Sequence, residues 1–272
     1  MKSNSLKLKT VEFCILTLGT LYVWYNFNVF PPDFFEVWKP ISFYKLFSRP
    51  LSNDLLGIFK FGWIFFLVLA GLGIGGYFFR IIGAVSAIIL LGHHYNFGNV
   101  YHGTHVYMGA VMILCLLPRP KSSALLISYL KYFVVFVMVL TGLQKLWYGG
   151  GFDWAFTDAF FVRLASHPYQ PPVGQAVLEG PLILSQIFAG WALIVAELLA
   201  FVSLFHKNLG RVYFFIWSSF HLGVTFVFGN HFMFYSQIFV YSAFLGLEFN
   251  FLLLIKEKLE SILSGRLKTI IN

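Results

Sequence analysis

Apolar runs too long for a soluble core recur along this sequence, and they constrain it more than any motif does. The clearest is SALLISYLKYFVVFVMVLTGLQKLWY, Ser123 to Tyr148, in which no charge intervenes between Lys131 and Lys145. A helix rises about 1.5 Å per residue, so a run of this length crosses the roughly 30 Å hydrocarbon layer of a bilayer. Hydrophobic residues make up 58% of the chain against 11% charged, and the mean hydropathy is +0.77. One water-soluble core cannot hide that much apolar surface. The expected fold is an all-α polytopic membrane helix bundle, a single membrane domain over 1–272 with no stretch left for a soluble one.

Uninterrupted apolar length places about eight transmembrane helices, at roughly 11–30, 55–79, 81–100, 104–118, 123–148, 183–205, 211–229 and 231–255. The basic start, with Lys2, Lys7 and Lys9, leads into the first run with no small-residue cleavage site after it, which predicts an uncleaved first helix. Pro and Gly mark the longer connections at 31–54 and 149–181. In the second, Trp154, Phe160, Phe161 and Leu164 fall at helical spacing, which predicts a short interfacial helix in the outer loops.

An even number of spans puts both termini on one side, and basic residues choose the side. With the termini inside, Lys2, Lys7, Lys9, Arg80, Arg119, Lys121, Lys207, Arg211, Lys256, Lys258, Arg266 and Lys268 fall in inner segments. Only Lys39, Lys45, Arg49 and Arg163 fall outside. This bias predicts an integral protein of a bacterial inner (plasma) membrane with both termini cytoplasmic. The net charge of +8 then meets anionic membrane lipids, and no nucleic acid is needed to explain it. Cys14 and Cys115 sit in separate apolar segments, as buried structural thiols commonly do.

These spans give the polar residues depths. Counted from Ser123, Lys145 lies roughly 33 Å from the inner surface, near the outer end of its helix. His93, His94, His102, His105 and His231 fall in the outer half as well, with His221 near the middle of the seventh span. Taken singly, a lysine at a helix end snorkels to the headgroups, and a histidine beside Gly, Asn or Tyr is a satisfied interfacial side chain. Glu197, in WALIVAELLAFVSLF, is harder to explain that way, because a carboxylate in an apolar span is expensive unless protonated or paired. Independent interfacial residues have no reason to gather in one leaflet, so the set points to a shared site.

Metal chemistry fits the spacing poorly. Membrane di-iron enzymes need several HxxHH or HxxxH boxes, whereas HGTH at 102–105 supplies one HxxH and His93-His94 stands apart. No metal is expected. A haem needs only one histidine on each of two helices, so His94 or His105 opposite His221 keeps a haem-binding membrane redox protein as an alternative.

Three stretches together resemble a known family. NVYHGTHVYMGAVMILCLLPRP, LTGLQKLWYGGGFDW and SSFHLGVTFVFGNHFMFYSQIFVY are similar to the HTTM (horizontally transferred transmembrane) domain family. That domain is the membrane core shared by vitamin K-dependent gamma-glutamyl carboxylases and small bacterial relatives. The matching positions are Thr104 and His105 ahead of Tyr107, Gly142 and Lys145 ahead of Asp153-Trp154, and Phe220-His221. Thr104 stands where the carboxylases carry Asn.

The resemblance implies an enzyme that oxidises a reduced, vitamin K-like quinone, with Lys145 as base and His105 and His221 beside it. Thr104, Tyr107, Gln144, Trp154, His102 and His231 are the expected substrate or quinone contacts. A lysine in a water-poor pocket suits a base that must be neutral before it acts. The carboxylases add a large extracytoplasmic region that holds a peptide, whereas the resemblance here covers about 10–255. An exported peptide or an extracytoplasmic partner protein is therefore expected to complete the reaction, as in toxin-peptide maturation by small relatives. The non-enzymatic alternative is a membrane scaffold or toxin-system partner that keeps the fold without the chemistry.

Overall fold

A computed structural model of the chain describes residues 2–26, 50–95, 102–118, 122–148, 172–181, 192–228 and 236–247. Among these residues every regular element is a helix. In chain order they are α1 (Lys2–Glu12), α2 (Thr20–Asn26), α3 (Asn53–Gly71), α4 (Gly76–Tyr95) and α5 (His102–Cys115). There follow α6 (Ser123–Tyr148), α7 (Pro172–Glu179), α8 (Ala192–Leu198), α9 (Lys207–Phe228) and α10 (Ser236–Leu245). A π-helical segment, Phe13–Gly19, joins α1 to α2, and a 3₁₀ segment, Leu199–Leu204, continues α8. Among the described residues, three stretches are long and apolar enough to cross a membrane: Asn53–Gly71, Gly76–His93 and Ser123–Trp147. Shorter apolar helices cover Thr104–Cys115, Ala192–Leu204 and Ser236–Leu245.

Several sequence-based boundaries move: α9 begins at Lys207 rather than 211, and α10 ends at Leu245, beside Gly246 with a φ of 61°, rather than near 255. The first helix begins at Lys2 rather than near 11, because its polar opening still takes helical geometry. The division expected at 79–81 falls instead at Leu72–Gly75, in the run Gly71-Leu-Gly-Ile-Gly-Gly76. There Gly73, Gly75 and Gly76 have φ of 81°, 78° and 61°, a region that residues with a Cβ avoid. Apolar length alone had carried the second span through these glycines. The shift moves Arg80 out of a connection and into the second turn of α4. The region from 149 to 171, including the interfacial helix expected around Trp154–Leu164, lies outside the described residues, as do parts of the spans expected at 183–205 and 231–255.

The chain divides into two compact units, one of Met1–Ile127 with Gly246–Asn272 and one of Ser128–Leu245. In the first, α3 and α4 form an antiparallel pair, and the π segment packs against α3. Polar side chains tie this unit together in tiers. Arg80 meets Glu12 with two parallel bonds of 3.0 Å, Nη1 to Oε1 and Nη2 to Oε2, and Nη1 also reaches the Leu114 carbonyl at 3.5 Å. Both residues are buried, so α1, α4 and α5 are clamped by one ion pair. Further along, Tyr107 is fully buried, with its hydroxyl 2.6 Å from Thr20 Oγ1 and accepting from Trp63 Nε1 at 3.3 Å. At the end where α3 begins, buried His93 accepts the Leu51 N–H through Nε2 at 3.2 Å.

In the second unit, α9 packs on α7, on the 3₁₀ segment and on α10. The Tyr213 hydroxyl donates to the Leu199 carbonyl at 2.7 Å, and Ser203 Oγ donates to the Ala200 carbonyl at 2.6 Å. These bonds occupy carbonyls where α8 tightens into the 3₁₀ segment. Large apolar side chains such as Phe136, Phe215 and Phe226 are exposed, as expected of a surface solvated by lipid tails rather than water.

Candidate functional site

Lys145 lies in the last turn of an apolar helix, yet its amino group does not point into the open. It donates to Glu197 Oε1, and the two side chains are 20% and 5% exposed. The reason lies one turn earlier on α6. A Cβ on Gly142 would stand 3.0 Å from Glu197 Cβ and 3.1 Å from Leu198 Cδ2. With only hydrogen there, α8 comes close enough for Glu197 to reach the lysine. Small residues permit this kind of approach between membrane helices. Gly142 and Lys145, two positions of the Gly-x-x-Lys motif, thus act on the same partner.

A second polar group lies in the same unit. His221, buried on α9, has Nε2 at 3.0 Å from the Tyr241 hydroxyl, and the two rings stack with centroids 5.8 Å apart. Tyr241 in turn donates to Gln237 Oε1 at 2.8 Å. A phenol has one proton, so Tyr241 can only accept from the histidine, which places the imidazole N–H on Nε2. In the neutral ring the basic lone pair is then on Nδ1. Tyr241 also lines a small gap with Val134, Met138, Trp217 and Phe244, about large enough for one water.

One unit thus holds two polar pairings, Lys145 of α6 with Glu197 of α8, and His221 of α9 with Tyr241 and Gln237 of α10. This arrangement can hold a proton, pass it over short distances and exclude bulk water. Of the residues expected from sequence, Lys145 and His221 are brought into it, and Gln144 is exposed beside Lys145 on α6. Thr104, His105 and Tyr107 belong to the other unit, where Thr104 is buried and His105 is exposed. His102 opens α5. Trp154 and His231 lie outside the described residues.

Sequence reading singled out Glu197 as costly but did not join it to the site, and it missed Tyr241 and Gln237. The signal for the last two was their spacing, four residues apart on one face of an otherwise apolar helix.

Comparison of the chain with protein-family models, with curated proteins and with solved structures returned no match. What the site does must be argued from its own chemistry.

The close approach at Gly142 gives the first expected result. Gly142→Val places two methyl groups where Glu197 and Leu198 now stand, and overpacking of this kind costs about 1–3 kcal/mol. A lowered melting temperature of the detergent-purified protein is expected, with a smaller change for Gly142→Ala. Equal melting temperatures for both variants and the wild type would show that α8 does not rest on α6 there.

Proposed function

We propose that this chain is a bacterial-type HTTM-like membrane enzyme, both termini cytoplasmic, in which Lys145 takes a proton from a lipid-soluble hydroquinone. The observation that carries this reading is a lysine kept inside an apolar bundle by a buried carboxylate, with a His–Tyr–Gln chain in the same unit. A lysine meant only to anchor a helix gains most by reaching the headgroups, and Lys145 is bonded instead to a buried carboxylate on another helix. Quinols partition into the bilayer and reach such a site from the side. The Lys145 amine would accept the hydroxyl proton, leaving the hydroquinone as its monoanion. An exported peptide presented from outside is the natural consumer of that chemistry.

A second reading is favoured by the tight contact at Gly142: the Lys145–Glu197 pair is a helix clamp in a non-catalytic scaffold. The two readings part on purified protein in lipid vesicles loaded with a vitamin K-type hydroquinone in air. Enzyme-dependent oxidation of the hydroquinone is expected, followed by absorbance and lost in Lys145→Met. A wild-type rate equal to that of protein-free vesicles would leave the scaffold reading standing. A haem would announce itself in the same sample as an intense visible band abolished by His221→Ala.

A further inference from the structure

Among the described residues there are two buried acid–base pairs, and they are built differently. Glu12 is met by Arg80 on both carboxylate oxygens. Glu197 is met by Lys145 on Oε1, while its Oε2 is buried and has no hydrogen-bond partner among the described residues. An ionised carboxylate taken out of water needs donors on both oxygens, and a bare charged oxygen is the costlier defect. A carboxylic acid needs fewer, because one oxygen carries its own hydrogen. The Arg80 guanidinium cannot give up its proton, whereas a lysine ammonium can.

We infer that Glu197 is the proton-holding partner of Lys145, and that the resting site is a neutral lysine amine hydrogen-bonded to a Glu197 carboxylic acid. The proton moves from Nζ to the carboxyl group: one N–H bond breaks, one O–H bond forms, and no electrons change hands. Lys145 is then ready to accept a second proton from a substrate hydroxyl, and in this respect the inference rests on the base role proposed above. Glu197 touches the lysine and not the substrate, so it is a positioning residue. Lys145 on α6 is its hydrogen-bonded neighbour, and the same unit carries the buried His221 on α9 and Tyr241 on α10. Only a nearby positive charge would hold the carboxyl ionised; Tyr241 brings none, and His221 as a neutral imidazole brings none either.

Infrared spectroscopy reads this state without any turnover. Protein carrying isotope-labelled glutamate, reconstituted in phosphatidylcholine vesicles at neutral pH, is expected to show the carbonyl stretch of a protonated carboxyl. That band should vanish in Glu197→Gln, which keeps an acceptor for Lys145 but cannot hold the proton. It should vanish as well in Lys145→Arg, where a guanidinium forces the carboxylate to stay ionised. Absence of the band in the wild type, or its survival in Glu197→Gln, overturns the inference. Survival in Lys145→Arg also overturns it, since Glu197 would then be protonated whatever its partner.

If the band behaves as expected and hydroquinone is not oxidised, the proton sharing stands and the enzymatic reading fails. In the oxidation assay Glu197→Gln should lower kcat about 10-fold or more with KM little changed, whereas a merely structural loss would lower the amount of folded protein.

Discussion

Lys145→Arg is expected to lose hydroquinone oxidation by about 10²–10⁴-fold, the usual contribution of a general base, while membrane abundance stays near that of the wild type. Arginine keeps the positive charge, can still bond Glu197 and snorkels as well as lysine does. It differs in the one property a base needs, since guanidinium does not deprotonate in proteins. Lys145→Met approaches from the other side by removing charge and basicity together, at little cost to an apolar helix. Both variants should be inactive. An active, well-expressed Lys145→Arg would show that the residue is an anchor, and the double exchange Lys145→Glu with Glu197→Lys would then also be tolerated, because a clamp works in either direction.

The Arg80–Glu12 pair should dominate stability instead. Removing one partner of a buried ion pair strands the other charge, which typically costs about 3–5 kcal/mol. Arg80→Met is therefore expected to lower the melting temperature of the purified protein sharply, and Glu12→Leu to do the same. The double variant Arg80→Met with Glu12→Leu should recover most of the loss, because it leaves no stranded charge and two apolar side chains of similar reach. A double variant no better than the singles would mean that the Leu114 carbonyl, which also accepts from Arg80, carries more of the clamp than the ion pair does. No change in hydroquinone oxidation per folded molecule is expected from any of these.

The sequence alone determined the helical class and the presence of helices apolar enough to cross a membrane. A run such as Ser123–Tyr148, apolar without the alternation of a barrel strand, satisfies its backbone in lipid as a helix, so its length and pattern were sufficient information. The sequence also marked Glu197 as expensive, because the cost of a carboxylate in an apolar run is local. Helix ends were less legible. The break at Leu72–Gly75 depends on positive φ angles that hydropathy does not register, and the helical start at Lys2 lies in a polar segment.

Which charges meet was decided by the tertiary structure. Glu12 and Arg80 are 68 residues apart, and Lys145 and Glu197 are 52 apart, so no helical periodicity links them. Their pairing depends on how closely helices approach, and for the second pair that distance is set by the missing side chain of Gly142 against Glu197 and Leu198. The same holds for His221, whose protonated nitrogen follows from where Tyr241 spends its single proton on another helix. A sequence states the chemistry each side chain can perform. Packing decides which neighbour shares its proton, because in a medium without water only a group within contact distance can do so.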